Sequence, residues 1–272
     1  MDVCHDSTLD ARSDARRRLS EAANRRSRTG SLSIGGRQVE WYEQFKRLGD
    51  TAVTGALIFD FDGLIVDTES PEFQVWSDIF VDHGVELDVA TWAPGIGTLS
   101  TFNPYDELEK RAGRPVDRGE VRAVRRRRLD ELLARQPVRP GVLDYIAAGR
   151  RRGMAIGVAS SSPRSWVVGH LTRLGIVDRF DAICTAEDVA VVKPDPALYL
   201  LALGELHSRA DQSIAFEDSP NGILSAKRAD LFCVAVPNPL TSSLALDLAD
   251  VRLTSLADVP LQDLLERLPP IG

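Results

Sequence analysis

Residues 56–69 have the sequence ALIFDFDGLIVDTE, in which four apolar residues are followed by Asp60 and, two positions later, by Asp62. Four consecutive apolar residues are typical of a strand that is buried in a parallel sheet. Ligands of open α/β sheets bind beyond the carboxyl ends of the strands. We therefore expect Asp60 and Asp62 to lie at the edge of a sheet where chemistry takes place. An acidic turn after a strand is the alternative that this short pattern alone leaves open.

The composition is that of a globular protein. The 272 residues are 43% hydrophobic and 27% charged, which suits one large domain or two smaller ones. The net charge of −7 argues against a nucleic-acid partner, which would need a basic face. No run approaches the roughly 18 apolar residues of a membrane span, and the first residues lack the apolar core of a signal peptide. The three cysteines, an odd and sparse number, favour a cytoplasmic location over a disulfide framework.

Residues 1–53 differ in composition from the rest of the chain. They are rich in arginine and serine with acids mixed in, which predicts a flexible N-terminal extension. Within them, residues 39–49 have apolar side chains at helical spacing and end in glycine. This pattern predicts a short amphipathic helix.

From residue 54 onwards, strand and helix patterns alternate as they do in parallel α/β folds. Apolar runs predict strands at residues 56–60, 155–160, 181–185, 213–217, 233–237 and 251–254. Residues 69–137 interrupt the alternation because they contain only helical patterns. The predicted fold class is α/β, a doubly wound parallel sheet with an inserted α-helical cap. The core would comprise 54–68 and 138–272, and the cap 69–137.

Polar side chains also mark the ends of later strands. Ser160 ends the second predicted strand, and Ser162 and Pro163 predict the N-cap and first residue of a helix whose free N–H groups would bind an anion. Lys193 lies between an apolar pair and Pro194, where it would serve as a fixed cation for a phosphate. A capped loop and a surface lysine are the ordinary alternatives for each pattern alone.

A second pair of acids, Glu217 and Asp218, ends the fourth predicted strand. Carboxylates from two strand ends suit Mg²⁺, a hard cation that prefers oxygen ligands. Acids near a helix N-terminus also have an ordinary role in countering the helix dipole.

Taken together in this order and context, Asp60-Phe61-Asp62-Gly63, Ser160, Lys193 and Glu217-Asp218 resemble the four motifs of the haloacid dehalogenase (HAD) superfamily of phosphotransferases. The resemblance covers about residues 55–260. The helical insert is similar to the four-helix cap of the subgroup that contains β-phosphoglucomutase and small phosphatases. A Rossmann-like core is the fold that this resemblance implies.

The resemblance also implies a mechanism. Asp60 would be the nucleophile that forms an aspartyl-phosphate, and Asp62 the general acid and then the base. The implied Mg²⁺ ligands are Asp60, the backbone carbonyl of Asp62, Asp218, and Glu217 directly or through water. Dehalogenases of the superfamily lack the second acid, so the presence of Asp62 favours phosphoryl chemistry.

The residues that bind the phosphate are implied in the same way. The phosphoryl oxygens would be held by Ser160, Ser161 and Lys193. Contacts from the cap to the substrate are assigned to Thr68, Glu72 and Thr98.

Three functions follow from these patterns. We expect a Mg²⁺-dependent phosphatase of a small phosphorylated metabolite, of the sugar or nucleoside phosphate class, acting as a monomer. A β-phosphoglucomutase-type isomerase is the alternative, but the mutase has a histidine at the acid/base hinge where this chain has Glu72. A non-catalytic protein that binds a phosphometabolite is the third, and the intact motifs argue against it.

Overall fold

The computed structural model describes residues 55–98 and 102–267. The predictions for residues 1–53, including the helix at 39–49, lie outside the described residues. Among the residues that are described, no helix is long and apolar enough to cross a membrane.

The described strands form one parallel sheet in the order β3-β2-β1-β4-β5-β6. The strands are β1 (Ala56–Phe59), β2 (Ala155–Ala159), β3 (Ala182–Cys184), β4 (Ile214–Glu217), β5 (Phe232–Ala235) and β6 (Val251–Arg252). The chain runs outward from β1 through β2 to β3, then returns to the other side of β1 with β4. This reversal makes the boundary between β1 and β4 the topological switch point, where open α/β sheets bind ligands. The predicted doubly wound parallel sheet is confirmed.

The helices among the described residues are α1 (Glu69–Asp82), α2 (Val89–Trp92), α3 (Pro104–Ala112), α4 (Arg118–Leu133), α5 (Val142–Arg151), α6 (Arg164–Arg173), α7 (Ala197–Glu205), α8 (Pro220–Arg228) and α9 (Leu261–Arg267). Helices α1 to α5 all lie between β1 and β2 in the sequence. Of these, α5 packs against β1 and β2.

The central strands of the sheet are buried on both faces, which is why they consist mainly of apolar residues. Ala56 and Ile58 of β1 lie in a cluster with residues of α7 and α8. Leu57 faces the opposite side, where a Cβ built on Gly149 of α5 would lie 2.7 Å from its Cδ1. Phe59 stacks on Phe216 of β4 with ring centroids 4.8 Å apart on this second face. Alternate residues of one strand therefore enter two different cores.

Helices α1 to α4 have a hydrophobic core of their own. Its buried members are Val75, Trp76, Ile79, Phe80, Leu87, Leu108, Val121, Leu129 and Leu133. Trp76 is at its centre, with its ring edge-on to Tyr105 at 4.9 Å between centroids. We call α1 to α4 with this core the helical insert. The exact boundaries assigned to the cap and the core stay predictions.

Two chain segments connect the helical insert to the sheet, and they pair with each other. Val66 and Val138 form an antiparallel bridge, and the backbone N–H of Arg139 donates to the carbonyl of Ile65 at 2.9 Å. Gly141 follows with φ of 84°, and a Cβ there would lie 2.2 Å from the backbone of Leu256. Only glycine fits this turn, which returns the chain to α5.

Strands β1, β2 and β3 each end one residue earlier than predicted, before a polar residue: Asp60, Ser160 and Thr185. Strand β4 keeps Glu217 but begins one residue later than predicted. Asp60 still donates its backbone N–H to the Phe216 carbonyl at 2.9 Å, but it lies beyond the end of β1. At the end of β5, Val236 donates to the Glu217 carbonyl at 2.7 Å, and Pro237 has no N–H with which to continue. The polar residues at these strand ends are thereby free to turn into the site.

Candidate active site

Three acidic side chains from two adjacent strand ends converge at the switch point. Asp60 follows β1, Glu217 ends β4 and Asp218 comes next. One carboxylate oxygen from each lies within 4.8 Å of the others, and all three side chains are buried. Like charges at this separation repel strongly away from water, so the site requires positive charge.

Lys193 supplies part of that charge. Its side chain is 1% exposed, and its Nζ donates to Oδ1 of Asp60 and, at 2.6 Å, to Oε1 of Glu217. The ammonium also lies 5.0 Å from the centre of the Tyr199 ring. Burial alone would lower the pKa of Lys193, but the charges of Asp60 and Glu217 outweigh it and the pKa is raised. Lys193 is therefore a permanent buried cation.

The carboxylate of Glu217 is fully engaged by protein donors. Oε1 accepts from Lys193 and from the Tyr199 hydroxyl at 2.7 Å. Oε2 accepts from the backbone N–H of Asp218 at 3.1 Å and from the Ser219 hydroxyl at 3.3 Å. A Cβ on Gly222 would come within 2.0 Å of both oxygens. This arrangement suits Glu217 to holding Lys193 in place and to a metal contact through water rather than a direct one.

Asp218 has the opposite character, because one of its oxygens is free. Oδ2 accepts from the Asn238 amide at 2.7 Å. Oδ1 is completely buried, and no donor reaches it within the part of the chain that the structure describes. Burial, and then the charges of Asp60 and Glu217, raise the pKa of Asp218 well above its ordinary value. An unpartnered buried oxygen among carboxylates fits a hard divalent cation.

Asp60 is the acid that these groups surround. Burial raises its pKa well above the ordinary value; Lys193 opposes the rise, and Glu217 and Asp62 add to it. Oδ1 of Asp60 accepts a hydrogen bond from Lys193 Nζ. A cation beside Asp218 would lower the cost of keeping Asp60 ionised.

Asp62 lies apart from this cluster and is held by four side chains. Oδ1 accepts from the Thr68 hydroxyl at 2.7 Å and from the Trp166 indole N–H at 2.8 Å. Oδ2 accepts from the Ser162 hydroxyl at 2.5 Å and from the Ser160 hydroxyl at 3.4 Å. The carboxylate is therefore fixed in orientation between the helical insert and the loop after β2.

The loop after β2 differs from the prediction at the start of its helix. Helix α6 begins at Arg164 with Pro163 as its N-cap, so the prediction of Ser162 as N-cap and Pro163 as first helical residue is wrong by one position. The physical reason is that the Ser162 hydroxyl is used by Asp62, while its backbone N–H donates to the Ser160 hydroxyl at 3.0 Å. Ser161 donates to the carbonyl of Gly97 at 3.1 Å. Ser160 and Ser161 thus lie beside the acids, in contact with the helical insert.

The residues assigned to the cap have different surroundings from one another. Thr68 contacts Asp62 directly. The Thr98 hydroxyl donates to the backbone carbonyl of Lys193 and so joins the helical insert to the lysine loop. Glu72 accepts from the Trp76 indole at 2.9 Å and from Arg125 Nε at 2.8 Å. The contacts of Thr98 and Glu72 are made within the protein, and their roles toward a substrate stay predictions.

Sequence reasoning did not identify four polar residues that shape the site: Ser162, Trp166, Tyr199 and Asn238. The position of Asn238, shortly after the end of β5, was a usable signal because the other site residues also follow strands. Trp166 and Tyr199 lie on helices with apolar faces, and nothing in the local pattern separates them from ordinary core aromatics.

Comparison with known families gives one match over most of this region. A model described as "Haloacid dehalogenase-like hydrolase" matches residues 57–236. All of the acids described above, Lys193 and the three serines lie within it.

Individual proteins are similar over nearly their whole length. The chain is 45% identical over 213 residues to the Bacillus subtilis protein named "Putative phosphatase YhcW", which covers 78% of this chain and 97% of the relative. It is 33% identical over 216 residues to the validoxylamine A 7'-phosphate phosphatase of Streptomyces hygroscopicus subsp. limoneus, covering 79% and 97%. The crystal structure of CbbY from Rhodobacter sphaeroides in complex with phosphate matches with a TM-score of 0.60 and 28% identity, covering 75% of this chain and 95% of CbbY.

Proposed function

The chain belongs to the haloacid dehalogenase-like hydrolase family, and from that premise we propose that it is a Mg²⁺-dependent phosphatase that works through an aspartyl-phosphate on Asp60. The substrate we propose is a small phosphorylated metabolite of the sugar or nucleoside phosphate class. The observation that carries this proposal is the buried group of Asp60, Lys193 and Asp218 at the switch point of the sheet, with Asp62 held beside it.

Asp60 is the nucleophile of the proposed reaction. One of its carboxylate oxygens forms a bond to phosphorus while the ester P–O bond breaks, and a proton on Asp62 passes to the leaving oxygen. In the second displacement Asp62 takes a proton from water while the water oxygen bonds to phosphorus. The bond between Asp60 and phosphorus then breaks, which releases inorganic phosphate and restores the protonated Asp62.

The residues that would hold the cation are Asp60, Asp218 and the backbone carbonyl of Asp62, with Glu217 directly or through water. The unpartnered Oδ1 of Asp218 and the all-oxygen donor set fit Mg²⁺. When bound, the ion supplies positive charge that lets an anionic phosphate approach Asp60. Lys193 adds a second positive charge at Asp60 Oδ1, and the hydroxyl of Ser160 and the loop at Ser161 offer donors to the phosphoryl oxygens.

A sugar-like substrate is supported by the names of the relatives. One of them is a phosphatase of validoxylamine A 7'-phosphate, at 33% identity. A cytoplasmic location and a monomeric state remain part of the proposal, and they rest on the sparse cysteines and on the resemblance alone.

The hydrogen-bond partners of Glu72 favour a hydrolase over a β-phosphoglucomutase-type isomerase. This residue stands where the mutase has a histidine that engages the acid/base hinge. Here its carboxylate is bound by Trp76 and Arg125 inside the helical insert, while Asp62 is held by Thr68 and Trp166. The hinge contact of the mutase is therefore replaced by a different set of donors.

The test is phosphate release from a panel of sugar phosphates, nucleotides and cofactor phosphates with Mg²⁺. We expect release by the wild type and by Asp130→Asn, an exposed control on α4, and loss of at least about a thousandfold for Asp60→Asn because the nucleophile is removed. Conversion of β-glucose 1-phosphate to glucose 6-phosphate without release would establish the isomerase instead. Binding of a panel member with neither activity would establish the non-catalytic alternative.

A further inference from the structure

The indole of Trp166 connects the proposed acid/base residue to the helical insert. Trp166 is the third residue of α6, and its Nε1–H donates to Asp62 Oδ1 at 2.8 Å. The ring packs against the hydrophobic core of the helical insert, as a partly buried neighbour. On its other side it meets the His170 ring edge-on at 4.4 Å between centroids. These contacts fix the direction in which the N–H points.

The four donors around Asp62 are chemically unequal. An indole N–H can only donate, so the oxygen that it faces must be an acceptor. A serine hydroxyl can rotate and either donate or accept. Oδ1 faces the indole, and Oδ2 faces the hydroxyls of Ser162 and Ser160. A proton on Oδ1 would oppose the indole N–H, whereas a proton on Oδ2 could be accepted by Ser162.

We propose that Trp166 is a positioning residue that reserves Oδ1 of Asp62 as an acceptor and so confines the catalytic proton to Oδ2. This inference rests on the proposed function, because it assumes that Asp62 protonates the leaving group. Oδ2 lies on the side of Ser160, the residue we assign to the phosphate. The proton is thereby kept on the oxygen that faces the loop we assign to phosphate binding.

The source of the donors adds a second consequence. Both donors to Oδ1 are tied to the helical insert: Thr68 directly precedes α1, and Trp166 packs on the core of the insert. Both donors to Oδ2 come from the loop after β2. The donors to Oδ1 therefore contact the helical insert, whereas the donors to Oδ2 belong to the loop after β2.

The kinetic test compares two leaving groups in Trp166→Phe, which keeps an aromatic ring and removes the N–H. Nitrophenolate leaves with little help from an acid, whereas the alkoxide of a sugar phosphate needs a proton in the transition state. We expect kcat/KM, which reports the steps through departure of the leaving group, to fall about tenfold or more for the best sugar phosphate, the value of one hydrogen bond to a charged group, and by less than about threefold for p-nitrophenyl phosphate. If the phenylalanine variant does not fold, benzothienylalanine at position 166 gives an isostere without the N–H.

A matched control is available in the helical insert. Trp76 also donates its indole N–H to a carboxylate, that of Glu72, at 2.9 Å. If Trp76→Phe lowers kcat/KM at all, it should lower it by the same factor for both substrates. Equal losses for the two substrates in Trp166→Phe would overturn the proposal, as would a Trp76→Phe variant with the same substrate dependence.

A measurement without turnover separates this inference from the proposed function. In protein labelled with ¹⁵N-tryptophan, the indole N–H resonance of Trp166 should shift in Asp62→Asn, and that of Trp76 should not. Absence of that shift would refute the hydrogen bond whatever the activity. If the shift occurs but no phosphate is released from any substrate by the wild type, the proposed function fails and the assignment of a catalytic proton to Oδ2 falls with it.

Discussion

Replacement of Lys193 by methionine tests whether the site depends on one buried cation. The side chain is 1% exposed and its Nζ lies 2.6 Å from Glu217 Oε1, with Asp60 on its other side. Methionine has a similar length and no charge, so the variant leaves two carboxylates facing each other away from water. At an effective dielectric constant of about 20, the attraction between Lys193 and Glu217 alone is about 6 kcal/mol. The variant avoids the desolvation penalty of a buried ammonium, which offsets several kcal/mol of this loss. The expected net loss in the free energy of unfolding is about 3–5 kcal/mol.

The pH dependence of that loss has a definite sign. The folded-state pKa of Asp60 is already raised, and without Lys193 it rises further because the opposing charge is gone. A carboxyl group with a raised folded pKa contributes stability that is present below its unfolded pKa and is lost as the pH rises through the folded value. The deficit of Lys193→Met should therefore be smallest near the ordinary carboxyl pKa of about 4 and should grow as the pH rises above it.

Urea unfolding of the metal-free protein measures this directly, with chelator present so that no cation replaces the lysine. Lys110→Met is the matched control, because Lys110 is 76% exposed and pairs with Glu107 at 3.2 Å. Lys110→Met should lower the free energy of unfolding by less than about 0.5 kcal/mol. The double variant Lys193→Met/Glu217→Gln should recover part of the loss, since one of the two facing charges is removed. A deficit below about 1 kcal/mol for Lys193→Met, or one that does not change with pH, would refute the reasoning.

Three further outcomes follow from the same contacts. Mg²⁺ should increase the free energy of unfolding by up to about 3 kcal/mol at a hundredfold excess over Kd, and thermal unfolding should show a larger effect at about pH 8 than at about pH 5. The reason is that the raised pKa of Asp218 makes protons compete with the ion at low pH. An equal effect in Asp218→Asn would contradict the proposed metal site. Gly222→Ala should destabilise the protein by about 2–3 kcal/mol in urea unfolding, since its Cβ would lie 2.0 Å from the Glu217 carboxylate. Gly204→Ala, with open space around its Cβ, should instead stabilise α7 by about 0.5–1 kcal/mol. Similar effects of the two substitutions would refute the contact. Burial raises the pKa of Cys184 to about 12, so iodoacetamide at neutral pH should modify this thiol only after unfolding. Peptide mass spectrometry would detect the modification. Rapid labelling of Cys184 in the native protein would contradict its burial.

The sheet was predictable because its signal is local and strong. Each central strand is an apolar run buried on both faces, and a polar residue follows where the run ends. Asp60 after β1 and Glu217 at the end of β4 were therefore expected at one edge, and the structure brings them together. The helical insert was equally visible, since about 70 residues without a strand pattern follow β1.

The contacts that orient the acids were not predictable in the same way. Trp166 reaches Asp62 across 104 positions of sequence, and Arg125 reaches Glu72 across 53. Neither residue has a local pattern that distinguishes it from a core aromatic or a solvated arginine. Ser162 was assigned to a helix cap on local propensity, and a tertiary contact with Asp62 took its hydroxyl instead. Such choices depend on which side chains the fold brings together, and a single sequence does not encode that locally.

The stereochemical course at phosphorus tests the central claim most directly. Transfer to Asp60 and then to water consists of two in-line displacements, each of which inverts the configuration. A phosphorothioate substrate that carries two oxygen isotopes at phosphorus in a known configuration, hydrolysed in water of the third isotope, should therefore give chiral inorganic thiophosphate with net retention. Net inversion would show a single direct attack by water, and it would contradict the role of Asp60 as the nucleophile.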